Sequence, residues 1–199
     1  MGGNDQGYAR PIHAVAVKPF FMGVNEVTVG QWKLCVKDGK CRATTGGKGD
    51  GFPVTKVSWE DTQKFIGWLN GHSTRYNFRL PAEAEWEYVV KKFGYKLKEL
   101  QPKLDRTSVD NRNTRGVNSI VGNALEWLDD CWHGGYFGAP TDGSSWNKGL
   151  YCSKRVVRGS HWKGEYDIDQ NKISYFRPVG LAKSEKRDTL GFRLAGTRK

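Results

Sequence analysis

Cysteine is the residue type in this chain best suited to chemistry, and there are four: Cys35, Cys41, Cys131 and Cys152. An even count fits two disulfides. Asp38 and Gly39 turn the chain after Cys35, so Cys41 can fold back to meet it. A short loop closed across a turn suits a disulfide. Elimination leaves Cys131 to pair with Cys152 across a segment rich in Gly, Pro and Ser. Zinc is a rival for the same residues, but the spacing is neither Cys-x-x-Cys nor a Cys/His alternation. A redox-active dithiol is another, and neither pair is Cys-x-x-Cys. Two disulfides imply an oxidising compartment such as the periplasm or the cell exterior. His13, His72, His133 and His161 are scattered singly, as ordinary surface or core histidines are. No Ser-His-Asp order or paired-carboxylate spacing stands out.

The elements that must position these residues are legible in part. Ile12, Ala14 and Ala16 alternate with His13, Val15 and Val17, which predicts an early strand. In EVTVGQWKLCVKDG, Thr28 and Gln31 form a capping-box pattern and Gly39 ends the helix. In SWEDTQKFIGWLNG, Ser58 and Asp61 repeat the pattern, with Phe65, Trp68 and Leu69 on one face. RLPAEAEWEYVVKKFG places Pro81 at a first helical position, acidic residues early and Lys91 and Lys92 late, as the helix dipole favours. RVVRG and GFRLAG read as short strands. The 25 glycines suggest many tight turns. The class is α+β with much irregular structure. Residues 1–9 read as a flexible N-terminal segment or a cloning remnant, and 10–199 as a single domain. No signal peptide is visible, a start compatible with a leader already removed.

The net charge is +11. One reading is a soluble basic surface, and the sharper one is an acidic partner. Nucleic acid is the default acidic partner, but no RNP-type strand, zinc finger or helix-turn-helix signal is present, so none is expected. No apolar run reaches the roughly 18 residues that span a bilayer, so no membrane insertion is expected.

Four segments occur in a recognisable order: FPVTKVSWEDTQKFIGWLN, RLPAEAEWEY, GVNSIVGNALEW, and RVVRGSHW followed by LGFRLAG. Together with the opening IHAVAVKPFFMGVNEVTVGQW they resemble the formylglycine-generating-enzyme, or sulfatase-modifying factor, family over residues 10 to 196. The resemblance implies a loop-rich α+β variant of the C-type lectin fold, with about three helices near the N-terminal half and short antiparallel strands. Catalysis in that family rests on two copper-binding cysteines after the strand that RVVRGSHW matches. Those positions fall here on Gly164 and Asp169, neither of which can be a thiolate or a soft copper ligand. No cysteine lies beyond residue 152, so no copper is expected. Related sulfoxide-forming enzymes use three histidines, and the single histidines here do not match. The family's calcium loop carries over to Ser119, Gly122, Ala124 and Glu126, with Ser119 standing where relatives have Asn or Asp and Asn118 a possible substitute. Oxygen donors of this kind suit Ca²⁺, so one calcium site is an expectation. Trp86 and Trp127 read as core residues, Trp162 less so. Arg79 and Glu83 to Glu87 read as helix-end charges or buried ion pairs.

A kept scaffold without its cysteine pair points to a non-catalytic periplasmic module. It would bind a protein partner, such as the periplasmic part of a membrane protein. Tyr166, Tyr175, Phe176 and Arg177 are the expected anchors, because Tyr and Arg are enriched at binding hot spots. Such domains resemble TagR-like accessory proteins acting upstream of a membrane threonine kinase that controls type VI secretion. One alternative is a periplasmic maturation enzyme or oxidoreductase of the same fold using non-cysteine residues. Another is a hypervariable lectin-like ligand-binding protein, for which Tyr166, Asp167, Asp169, Asn171, Ser174 and Tyr175 are suggestive.

Overall fold

The computed structural model describes residues 1–3, 9–93, 116–148, 152–163 and 179–199. Within them the order is β1 (Phe21–Glu26), α1 (Val29–Lys37), α2 (Trp59–His72), β2 (Tyr76–Arg79), α3 (Glu83–Phe93), β3 (Leu125–Cys131), β4 (Lys154–Arg158), β5 (Val179–Ala182), β6 (Leu190–Gly191) and β7 (Arg193–Arg198). This is the α+β arrangement expected, with three helices early in the chain and short strands.

Local chemistry explains where α1 and α2 start. The Thr28 hydroxyl accepts from the Gln31 N–H at 3.2 Å, and the Gln31 side chain accepts from the Thr28 N–H at 2.9 Å. Ser58 and Asp61 exchange the same two bonds, both at 3.1 Å. Each box satisfies amide donors that a helix start otherwise leaves without partners. The start of α3 depends on distant chain. The Glu83 N–H donates to Asp130 of β3 at 2.7 Å, while the Ala82 N–H donates to Glu85 at 2.8 Å. Pro81 lies two residues before the helix, its carbonyl accepting from the Asp129 N–H at 3.0 Å.

The predicted strand over 12–17 is absent, and the first strand begins at Phe21. The alternation there does not reflect a sheet ladder. Ala16 N–H donates to the Thr141 carbonyl and His13 N–H to that of Met1, so this stretch is fastened to loops. In the same region the Gly2 N–H donates to Glu87 at 2.7 Å.

Two sheets form. One has the order β1-β7-β2 and the other β5-β4-β3-β6. All pairings are antiparallel except β3 with β6. The GFRLAG segment serves both sheets: Gly191 ends β6, buried Phe192 crosses over, and Arg193 opens β7. A side chain at Gly191 would meet the Val54 carbonyl at 2.5 Å, so only glycine fits there. Phe192 packs into a core with Trp32, Phe65, Leu80, Trp127 and Leu190. Trp32 stacks on Phe65 with centroids 5.5 Å apart. Fully burying such a side chain contributes roughly 1.5–3 kcal/mol. A second core gathers Trp86, Val89, Val90, Leu128 and Val156.

Candidate functional site

The site begins where β4 ends, and a buried ionic frame fixes that end. Arg158 is fully buried, its Nε 2.9 Å from Glu83 and its Nη2 2.7 Å from Glu87. It also donates to the Tyr136 hydroxyl at 3.0 Å, which in turn donates to Glu83 at 2.8 Å. Burial pushes the Glu83 carboxyl up despite Arg158. Burial acts the same way on Glu87, but Arg158 and Lys91 outweigh it and hold that carboxyl below its ordinary value. Asp130 is raised to about 8, by burial first and then by Glu83.

A second frame lies beside the first. Arg193 is fully buried and donates to Glu126 at 2.7 Å, and to the carbonyls of Gly23, Val24 and Asn118 at 3.0, 3.2 and 2.9 Å. The other Glu126 oxygen accepts from the Trp86 indole N–H at 3.0 Å. Burial still raises the Glu126 carboxyl. Burial also raises Glu26, to about 8, with Arg193 opposing and Glu126 adding to it. Each buried cation is thus matched to carboxylates and carbonyls, which is how buried charge is tolerated.

These frames hold a short surface segment. Gly159 turns at φ 90°, in the left-handed region that glycine tolerates. The segment then runs Ser160, His161, Trp162, Lys163. The Trp162 backbone N–H donates to the Asn123 carbonyl at 3.0 Å, and the Asn123 side chain donates to Glu26 at 3.0 Å. Over the half-buried Trp162 ring sit two ammonium groups, Lys48 at 5.4 Å and Lys163 at 5.2 Å from its centroid. Lys163 pairs with Asp188. Its hydrogen bond holds the Asp188 carboxyl below its ordinary value, and the charges of Lys163 and Lys56 add to that. Among the described residues, the Ser160 hydroxyl and the Trp162 indole N–H are buried without a hydrogen-bond partner. The arrangement is an indole ring with two ammonium groups over it, one of them paired with a carboxylate.

The other sequence candidates distribute as follows. Cys35 is bonded to Cys41 and Cys131 to Cys152, with Cα separations of 5.3 and 5.1 Å; no cysteine is free. Trp86 and Trp127 are fully buried. Arg79 makes a two-pronged pair with Glu85, both contacts at 2.6 Å. Of the calcium residues, Glu126 is fully buried, one oxygen accepting from Arg193 and the other from the Trp86 indole N–H. Among the described residues, no three His, Cys, Asp or Glu side chains gather into a metal-binding group. Gly164, Asp169, Tyr166, Tyr175, Phe176 and Arg177 lie outside the described residues, as do Asp167, Asn171 and Ser174. Sequence reading missed Lys48. It sits in a glycine-rich loop without periodicity, and only the fold brings it over Trp162.

Comparison with known proteins adds the following. A family model described as the sulfatase-modifying factor enzyme 1-like domain matches residues 1–99 and 92–198. The chain is 26% identical over 172 residues to the inactive C-alpha-formylglycine-generating enzyme 2 of Bos taurus, covering 72% of this chain and 50% of that protein. It is 27% identical over 225 residues to the serine/threonine-protein kinase pkn1 of Chlamydia pneumoniae, covering 93% of this chain and 34% of that protein. The chain therefore spans about half of one relative and a third of the other. Among solved structures, PvdO from Pseudomonas aeruginosa superimposes with a TM-score of 0.76 at 24% identity, covering 98% of this chain and 89% of that one. Treponema denticola variable protein 1 gives 0.68 at 22% identity, covering 98% and 90%. Both share the fold.

Proposed function

The chain belongs to the sulfatase-modifying factor enzyme 1-like domain family, and from that premise we propose that it is a non-catalytic, protein-binding module acting outside the cytoplasm. The state of the cysteines carries this reading. All four are locked in disulfides, so none can act as the thiolate that the family's oxidation chemistry requires. The positions where the catalytic pair would stand are Gly164 and Asp169. What the fold preserves is a rigid scaffold under a surface segment, the arrangement by which loops are presented for recognition. Similarity to a relative named as inactive supports the same reading. Two disulfides support an oxidising compartment, and no helix among the described residues is long and apolar enough to cross a membrane.

The partner we favour is the periplasmic part of a membrane protein, more narrowly a membrane threonine kinase of the kind that controls type VI secretion. A kinase among the relatives supports a kinase-associated role. The test is cross-linking capture from an envelope fraction, with a control chain whose 164–178 sequence is scrambled. Recovery of a membrane kinase above the control supports the reading. Recovery of nothing above it, or copper-dependent oxidation of a substrate cysteine by the purified chain, refutes it.

A further inference from the structure

We propose that the groove lined by Phe137, Ile12, Pro11 and Arg10 docks an extended segment of the partner protein that carries a bulky apolar side chain beside a carboxylate. The proposal rests on the protein-binding reading above and adds where on the described surface a partner is held, and by what chemistry.

Phe137 is the first observation. It is 90% exposed, more than any other large apolar side chain among the described residues. It stands at the corner of a tight turn: the Ala139 N–H donates to the Tyr136 carbonyl at 3.1 Å, and Gly138 takes the left-handed position at φ 80°. That corner accepts most residue types and favours proline, so the turn does not require an aromatic ring there. The mount is nevertheless fixed. Tyr136, one residue earlier, is buried, with its hydroxyl in the frame of Arg158 and Glu83 and its N–H donating to the Arg10 carbonyl at 2.7 Å. The Cys131–Cys152 bridge closes the segment that carries the turn. A large ring on a rigid support loses little freedom when it is covered, which is the character of a binding anchor.

The second observation is what lies beside the ring. Phe137, Ile12, Pro11 and Arg10 line a groove of about 550 Å³, and Ile12 is itself 58% exposed. Single apolar side chains scattered over a surface are ordinary, but here two of the exposed ones share the walls of one concavity. Three features choose the occupant. The groove is concave, so a flat bilayer would leave it unfilled, whereas a side chain projecting from an extended segment fills it. Arg10 is exposed and is the only charged residue among the described residues that line it, so an acidic neighbour complements it and a basic one does not. A second copy would bring its own Arg10 to the contact, on a chain of net charge +11. Four lining residues are also far fewer than the roughly 20–30 a side of a stable protein–protein interface. A short segment of a partner needs no more than such a groove.

The experiment uses the whole chain and a short fluorescein-labelled peptide with leucines flanked by glutamates. One reference peptide replaces its leucines by serines, and another replaces its glutamates by lysines. Anisotropy titration should show the probe binding about tenfold more tightly than either reference, as an apolar anchor with a complementary charge requires. Phe137→Ser and Ile12→Ser should each weaken it about fivefold or more at unchanged Tm, because both side chains are exposed. Leu34→Ser removes a side chain that is 56% exposed on α1 and should leave binding within about twofold. A serine or lysine peptide that binds as well as the probe overturns the proposal, as does equal loss from Leu34→Ser. So does Phe137-dependent flotation with anionic phospholipid vesicles, or a Phe137-dependent dimer in sedimentation, without binding of the probe. If envelope capture recovers a membrane kinase equally from wild type and from Phe137→Ser, the protein-binding reading stands and this site falls. If the peptides behave as stated and capture recovers nothing, the site stands and the kinase reading falls.

Discussion

Replacing Arg193 by Met should be among the most damaging single changes available in this fold. The guanidinium is fully buried and bonds Glu126 and the carbonyls of Gly23, Val24 and Asn118. Methionine fills similar volume but leaves Glu126 as a buried carboxylate without its cation. Breaking a buried pair in this way costs about 3–5 kcal/mol, a large share of the roughly 5–15 kcal/mol that holds a domain folded. A chain of this size then loses on the order of 10 °C in Tm. The double variant Arg193→Met with Glu126→Gln removes the stranded charge and keeps a bond from Trp86, so it should recover at least half of the loss. The pH dependence has a fixed sign. Burial already raises the Glu126 carboxyl, and removing Arg193 raises it further. The single variant's deficit should therefore be smallest below the ordinary carboxylate value of 4.5 and should grow as pH rises through the folded value. Urea denaturation of both variants with disulfides intact, at pH 4.5 and pH 7.5, measures this. A deficit below about 1 kcal/mol, a double variant no more stable than the single one, or a deficit independent of pH would refute the reasoning.

Three further outcomes follow from the same structure. Glu26, raised to about 8 by burial, contributes stability that is full below its unfolded value and lost as pH rises toward and past 8, so Glu26→Gln should flatten an alkaline decline in Tm measured from pH 6 to 9. Opening the Cys131–Cys152 bridge, which spans 21 residues, should cost about 3 kcal/mol, and opening Cys35–Cys41, which spans 6, about 2 kcal/mol, by the loop-entropy relation; Cys-to-Ser pairs compared by denaturation test the order. Because Arg193 already neutralises Glu126, millimolar calcium or a chelator should shift Tm by less than about 1 °C, whereas a site filled at a hundred times its Kd would add about 2.7 kcal/mol.

Sequence was informative wherever the deciding interaction was local. The starts of α1 and α2 rest on side chains three residues from the amides they cap, so Thr28 with Gln31 and Ser58 with Asp61 announced them. The Cys35–Cys41 bridge closes across a single turn and could be read the same way. The order of the four motifs indicated the family and with it the fold class, because that order reflects a whole architecture. The apolar alternation at 12–17 misled, since alternation records burial and not the presence of a partner strand.

What only the tertiary structure decided involves partners far apart in the chain. Nothing near Glu83 says that Asp130 caps its helix. Nothing near Arg193 says that it lies buried against Glu126, 67 residues away, or that Asn123 reaches Glu26 across 97. A charged residue reads from sequence as surface, and only a fold that supplies opposite charge and carbonyl oxygens around it reverses that. The surroundings of Trp162 have the same origin. Lys48 and Trp162 are separated by most of the chain, and each alone is an ordinary residue. The short strand at Arg155–Gly159 was visible in the sequence; that it ends on a rigid ionic frame, with Lys48 from a distant loop over the indole that follows, was not.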